Sequence, residues 1–600
     1  MGEELYMITN MILSASGWRK VFAESGNEQD TSPSIGQENK AISVFAAEVF
    51  ANYIKNTSAK ETPIVILGMD SRPTGKEIAD AAVKSLVQNG IFVKCAGIIA
   101  APEIMAYSRN ADGFMYISAS HNPIGHNGIK FGLNTGGVLN AEENAKLTAQ
   151  FKERCESENA VEEAISILKS APNKKIEEIY EAMPYTKIEA LAAYKKFLLW
   201  TISGTQSSEK QNELFSIIKS ETKNTDSARK IGVVCDMNGS ARAASVDEKF
   251  FTENGISFYA IHNTPGEIAH EIIPESENLV FLAAEMERLQ KEGKTDAILG
   301  YMPDCDGDRG NIVYWDEKAG RATILKAQEV FSLSVLAELS YAKWINKQNA
   351  NFKSAVAVNC PTSMRIDEIA TTLGAKVFRA EVGEANVVSC AQEKRAAGYD
   401  VRIFGEGSNG GTITHPSSVR DPLNTVFAII KLLSIKELYK NWCDLTGAFY
   451  SDDFSLTDIL DTLPKYTTTG VSESRAVLHI ATKDHSLLKS RFQNVFQNEW
   501  TLKKDELYEK YKILYWECVI TNGTKETRRV TDFSKSGRGG LKIVFYDEEN
   551  IPVAFIWMRG SGTEPVFRIL CDVKGDNPEM ERFLLQWETQ MLTVADGRTL

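Results

Sequence analysis

The chain has 600 residues, of which 43% are hydrophobic and 24% charged, and its formal net charge is -13. That length exceeds what one hydrophobic core can organise and predicts roughly three to five domains, while the acidic balance excludes a general nucleic-acid or anionic-membrane binder but still allows one local basic pocket. Nine cysteines scattered singly from Cys95 to Cys571, with no CxxC pair, read as reduced thiols of a cytosolic protein, neither a disulfide framework nor a zinc site.

The acidic start, Met1-Gly2-Glu3-Glu4, lacks the basic residues of a secretory signal. The longest apolar runs, such as 426–430, are too short to span a bilayer, and a cytoplasmic protein is expected. Ser14 to Lys20 is small in composition and ends in two cations. It reads as a mobile arm, with delivery of Arg19 to an anion as the alternative. A β-rich run from Pro63 to Leu67 leads into Gly68-Met69-Asp70-Ser71-Arg72. A helix with Ile78, Ala82 and Leu86 on one face follows, stops at Asn89-Gly90, and gives way to a second strand. This rhythm predicts a layered α/β domain with a mostly parallel sheet. It recurs at Ile231 to Gly239 and at Ser354 to Ser363, so three related α/β units are expected.

Residues 140–200 read as several helices, and 203–230 as an exposed helix and a linker. The last 140 or so residues alternate like strands, are rich in aromatic residues, and end in a helix after Asn577-Pro578. Four domains are therefore expected: 1–195, 196–320, 321–450 and, as a smaller α+β unit, 451–600.

Four loops carry chemistry. Ser118-Ala119-Ser120-His121-Asn122-Pro123 follows an apolar strand. Ser120, with His121 beside it and Lys130 ten residues on, suits a nucleophile that is itself phosphorylated; a polar turn is the alternative. Asp304-Cys305-Asp306-Gly307-Asp308-Arg309 places three carboxylates at alternate positions. They can converge on one hard cation, and packing them without one is unfavourable; a solvated acidic turn is the alternative. An EF-hand is excluded because its sixth position would be Arg309 and its twelfth Trp315. Gly405-Glu406-Gly407-Ser408-Asn409-Gly410-Gly411 reads by itself as a plain glycine-rich loop; the alternative is that its Glu and Ser hydrogen-bond sugar hydroxyls, and it lacks the nucleotide P-loop pattern. Arg559-Gly560-Ser561-Gly562-Thr563-Glu564-Pro565, with Arg568 beyond it, offers two cations, two hydroxyls and free backbone N–H groups to a phosphate dianion; a plain hairpin turn is the alternative.

In this order the four loops resemble those of the α-D-phosphohexomutase superfamily, the phosphoglucomutase/phosphomannomutase family. Ser16-Gly17-Trp18-Arg19, Gly68 to Arg72, and Val382-Gly383-Glu384-Ala385-Asn386-Val387 agree with the resemblance. It implies three related α/β domains with mixed sheets and a C-terminal α+β domain around a central cleft. It also implies a hexose 1-phosphate/hexose 6-phosphate mutase, an isomerase working through phosphoserine and a hexose 1,6-bisphosphate. Ser120 would carry the phosphoryl group, and one Mg²⁺ would be held by Asp304, Asp306, Asp308 and a phosphate oxygen on Ser120. Lys130 would move protons, its pKa lowered by burial beside other cations. Arg309 would steady the phosphoserine, with Arg19 and His121 as further contacts. Glu406, Ser408 and Glu384 would bind the sugar, while Arg559, Ser561, Gly562, Thr563 and Arg568 would hold the non-reacting phosphate. The implied partners are small hexose phosphates, with hexose 1,6-bisphosphate as activator, and the chain would be a monomer or homodimer.

Three departures stand out. Many relatives place a histidine where this chain has Gly410, Lys20 stands where glycine is usual, and the helical segments at about 140–225 and 485–530 are extra. His415 is a candidate substitute for the missing acid/base group, though a structural histidine is the plainer reading. Glucose and mannose are the leading sugars. Phosphoglucosamine mutase, glucose 1,6-bisphosphate synthase and a non-catalytic phosphosugar-binding protein are the alternatives. A serine hydrolase is excluded, since Ser120 has no G-x-S-x-G setting.

Overall fold

The computed structural model describes residues 6–223, 230–471, 473–560 and 566–598. Four sheets organise them, in a mixed α/β architecture.

The first sheet contains β1 (Ile12–Ser14), β2 (Gly17–Val21), β3 (Ile64–Met69), β4 (Phe92–Ile98), β5 (Gly113–Ile117) and β6 (His126–Leu133), in the order β1-β2-β6-β5-β3-β4. The second contains β7 (Gly232–Asp236), β8 (Ser257–Ile261), β9 (Ala297–Pro303), β10 (Gly310–Asp316) and β11 (Arg321–Ile324), in the order β11-β10-β9-β7-β8. The third contains β12 (Ser354–Asn359), β13 (Lys376–Ala380), β14 (Asp400–Glu406) and β15 (Gly411–Thr414), in the order β13-β12-β14-β15.

One pattern underlies all three. A central strand (β3, β7, β12) has parallel neighbours on both sides, and one neighbour (β5, β9, β14) turns back into an antiparallel partner (β6, β10, β15). The Ser120, Asp304–Arg309 and Gly407–Gly410 loops are the same turn of this motif in the three sheets. Each lies at the carboxyl end of a parallel strand, where open α/β sheets bind ligands.

The fourth sheet comprises β16 (Tyr466–Thr468), β17 (Val477–His479), β18 (Tyr515–Asn522), β19 (Lys525–Arg528), β20 (Gly540–Tyr546), β21 (Pro552–Gly560) and β22 (Val566–Lys574). Its named strands pair antiparallel throughout. Helices His485–Tyr511 and Pro578–Ala595 supply Phe492, Phe496, Leu584 and Trp587 to its core. Burying side chains of this size is worth about 1.5–3 kcal/mol each.

The chain forms two compact units, one of residues 1–325 and 416–430 and the other of 326–415 and 431–600. Position 195 lies inside the helix Asn173–Ser203, and Gly320 in the turn joining β10 to β11. The four domain limits given above stand as our proposal.

Two sequence expectations are corrected. Ser14 to Lys20 is no mobile arm: β2 pairs with β6, and Trp18 is fully buried against Phe131 and Phe151 with Nε1 donating to Asn144 Oδ1 at 2.9 Å. The extra segment near 485–530 is helical only to Tyr511. Beyond it, β18 and β19 form a hairpin through the two-residue loop Gly523-Thr524, with Gly523 at φ +57°, a turn chemistry that outweighs the helical composition before it. All nine cysteines are free and buried. Among the described residues no helix is long and apolar enough to cross a membrane.

Candidate active site

In the first unit the site is built around Ser120, on the β5–β6 turn. Ser120 has φ +55°, a left-handed conformation costing a non-glycine residue about 1–2 kcal/mol. The surroundings hold it there. Its N–H donates to Ser118 Oγ at 2.8 Å. Arg72, just beyond β3 and buried beside Asp70, donates to the carbonyl oxygens of Ser120 (2.7 Å), Asn122 (2.5 Å), Pro123 (2.6 Å) and His126 (3.1 Å).

The Ser120 hydroxyl donates to Asp304 Oδ2 at 2.6 Å and lies 3.4 Å from His121 Nδ1. Asp304, Asp306 and Asp308 are buried, and a carboxylate oxygen from each lies within 4.8 Å of the others. Asp306 Oδ2 accepts from Lys130 Nζ at 2.6 Å and from Ser118 Oγ at 3.0 Å. Asp308 Oδ2 accepts from Arg420 at 2.9 Å. The second oxygens of Asp306 and Asp308 are buried without a donor. Two orphaned anionic oxygens in one pocket fit a hard divalent cation. Gly307 is required in this loop: its φ is +72°, and a Cβ would stand 2.3 Å from Arg242 Cγ. The buried Arg242 donates to Gly307 O at 3.2 Å and to Asp421 at 3.3 Å, fixing the Asp304–Arg309 loop and the residue next to Arg420 together.

The charges sort accordingly. Burial and the neighbouring Asp306 and Asp308 push the Asp304 carboxyl well up. Burial opposes the charge on Lys130, but Asp306 and Asp308 outweigh it and raise its pKa. The lowered value expected from burial beside cations is therefore corrected, because the nearest charge is a carboxylate. Burial, with Arg309, Arg19 and Arg420 close by, pushes the His121 imidazole down to about 2, so it is neutral. Arg19 Nε and Arg309 Nε are buried without acceptors. Three arginines close to His121, the neighbour of Ser120, can receive a phosphoryl group.

In the second unit, Glu406 Oε1 accepts from Asn359 Nδ2 at 3.1 Å and from the N–H of Gly383 at 2.8 Å. Asn359 Nδ2 also donates to Ser408 Oγ at 2.9 Å. Glu384, the first residue of the helix Glu384–Ala396, adjoins this group through Gly383. Gly410 has φ +72°, where a histidine would be strained. His415 is exposed, its N–H on Arg402 O at 2.7 Å. Arg559 and Arg568 are cross-strand partners on β21 and β22. Arg559 Nε lies 2.9 Å from Glu381 Oε1, and Arg568 donates to Val471 O at 3.0 Å. Ser561, Gly562 and Thr563 lie outside the described residues.

Arg72, Ser118, Arg420 and Asn359 have no assigned role in the sequence reading. Arg72 and Asn359 stand in stretches that end strands, which is a usable signal; Arg420 carries none.

Residues 19–158 match phosphoglucomutase/phosphomannomutase, alpha/beta/alpha domain I, and residues 336–449 match domain III of the same family. A phosphoglucosamine mutase of Methanocaldococcus jannaschii is 24% identical over 87% of this chain and 90% of its own. A phosphoglucomutase/phosphomannomutase of Thermococcus kodakarensis is 26% identical over 87% of this chain and 88% of its own. In fold, the chain is similar to parafusin, a phosphoglucomutase of Paramecium, with a TM-score of 0.61 and 16% identity over 98% of this chain and 96% of that one. The strand motif repeated in three sheets and the mutases aligned over most of its length agree with the two matched segments: the chain carries domains I and III of the phosphoglucomutase/phosphomannomutase family.

Proposed function

We propose that the chain interconverts hexose 1-phosphate and hexose 6-phosphate, with glucose or mannose as the sugar, through phosphorylated Ser120 and a hexose 1,6-bisphosphate. The observation that carries this reading is the Ser120 hydroxyl donating at 2.6 Å to Asp304 of the buried carboxylate triad, beside His121, which lies close to Arg309, Arg19 and Arg420.

In the proposed cycle the free hydroxyl of the bound sugar phosphate attacks phosphorus. The bond from phosphorus to Ser120 Oγ breaks, Lys130 gives a proton to the departing Oγ, and its neutral amine takes up the proton that the attacking hydroxyl loses, so the step is balanced in protons. After the bisphosphate reorients, Ser120 Oγ takes back the other phosphoryl group. Asp304, Asp306 and Asp308 would hold Mg²⁺, which supplies charge neutralisation during transfer. Arg19, Arg309 and Arg420 orient the phosphoryl oxygens. Lys130, held protonated by Asp306, enters as a proton donor, and His121 as a neutral contact. Glu406, Ser408 and Glu384 take the sugar hydroxyls. Arg559 and Arg568, with Ser561, Gly562 and Thr563, take the phosphate that does not react. Hexose 1,6-bisphosphate would serve as activator by phosphorylating Ser120. Nine free, buried cysteines support a reducing compartment, the cytoplasm.

A second reading, phosphoglucosamine mutase, is favoured by the name of the Methanocaldococcus relative. Turnover of glucose, mannose and glucosamine 1-phosphates with Mg²⁺ and a trace of bisphosphate decides between them, with Ser120→Ala as control. Turnover confined to the glucosamine ester would replace the first reading by the second. Turnover that survives in the control would remove Ser120 from the mechanism.

A further inference from the structure

β7 ends at Asp236, whose carboxylate is fully buried. Two imidazoles face it from the segment after β8: His262 Nδ1 lies 2.9 Å from Oδ1, and His270 Nε2 lies 2.8 Å from Oδ2. One ligand atom from each of the three residues lies within 4.8 Å of the others. Ligands sharing a zinc-sized ion stand roughly 3–4 Å apart, so small side-chain rotations close the set.

His270 sets the terms. Its other nitrogen, Nδ1, faces the carbonyl oxygen of Glu271 at 3.0 Å. Both ring nitrogens therefore look at oxygens that only accept. A neutral imidazole has one N–H and one lone pair, so it satisfies one of these contacts and sets a lone pair against an oxygen at the other. A bound metal ion takes up that lone pair. A histidine that gives Nδ1–H to a backbone carbonyl and turns Nε2 to a carboxylate-bearing pocket has the tautomer and orientation of a metal ligand. The mount is rigid. Asn238 accepts the N–H groups of Ala269 and His270 and donates to the carbonyls of His270 and Glu271, and the His270 ring stacks on Phe281 at 4.3 Å.

We propose that Asp236, His262 and His270 bind a divalent ion of the zinc type, independently of the Asp304 triad. Two imidazoles and a carboxylate suit a borderline ion such as Zn²⁺, whereas Mg²⁺ takes oxygen ligands. Three protein ligands leave a position for water, and the partly exposed His262 ring gives the ion an entry path. The ion ties β7 to the segment after β8, clamping it as a metal clip.

The test uses the full chain, stripped by a chelator and dialysed against Zn²⁺ with Mg²⁺ in excess, with bound zinc read by elemental analysis. The unaltered protein and Asp306→Asn are expected to retain one zinc per chain, and His270→Gln and His262→Gln to retain none. Zn²⁺ should raise the thermal midpoint of the first two proteins only. His262→Gln alters a partly exposed side chain and keeps the test readable if His270→Gln does not fold. Zinc retained by His262→Gln, or no zinc in Asp306→Asn, would overturn the proposal, the second result placing the zinc at the Asp304 triad.

Discussion

Arg559 and Arg568 stand directly opposite one another on β21 and β22. Side chains in that relationship share one face, and like charges so placed repel unless an anion joins them. Arg568→Ala should therefore raise the KM for sugar phosphate roughly 10- to 100-fold, since a charged hydrogen bond is worth about 1.5–3 kcal/mol, with kcat little changed. In phosphate-free buffer the same substitution should not lower the thermal midpoint. An unchanged KM would remove Arg568 from the phosphate site.

Lys130 and Asp306 form a buried pair at 2.6 Å. Lys130→Gln should lower kcat roughly 10²- to 10⁴-fold, the range of a lost acid–base group. It also leaves a buried carboxylate unpaired, which costs about 3–5 kcal/mol without metal. Steady-state kinetics and thermal unfolding with and without Mg²⁺ check both effects, and Mg²⁺ should recover part of the stability but not the rate.

The Asp304 pKa is raised by burial and by its two acidic neighbours. A carboxyl whose folded pKa exceeds its unfolded value, about 3.9, binds its proton more tightly when folded. It therefore costs metal-free stability progressively as pH rises from about 4 through the raised folded value. Asp304→Asn should stabilise the metal-free protein at neutral pH and abolish most of the gain from Mg²⁺. In the unaltered protein that gain should be larger at neutral than at mildly acidic pH, because protons compete with the ion. Unfolding curves across pH, with and without Mg²⁺, would show it, and a gain independent of pH would contradict it.

The functional loops are legible in the sequence because each carries its chemistry in one contiguous stretch after an apolar strand. Ser120, the three aspartates and Glu406 are all of this kind. Groups that meet only through tertiary folding are not. Arg420 reaches Asp308 across 112 positions, and Asn359 reaches Glu406 from another strand. The sign of the Lys130 shift is hidden for the same reason, since it depends on Asp306 lying nearer than any cation. Trp18 reads as part of a small, flexible segment until its partners Phe131 and Phe151 fold over it.

Arg72 is the brace of the Ser120 turn, and its planar fork spans four carbonyl oxygens. Lysine keeps the charge but not the fork. Arg72→Lys should lower kcat roughly 100-fold, as expected when a reacting group moves by about 1 Å, with KM close to unchanged. Kinetics on the same sugar phosphate check this, and a normal kcat would show that the turn holds without the brace.

In the proposed cycle Ser120 carries the phosphoryl group. The direct measurement incubates the protein with labelled hexose 1,6-bisphosphate and Mg²⁺, locates the label by peptide mass spectrometry, and chases with unlabelled hexose 6-phosphate. Label on Ser120 that returns to sugar during the chase is the predicted result. A protein that takes no label, or carries it on another residue and keeps it through the chase, would contradict the account.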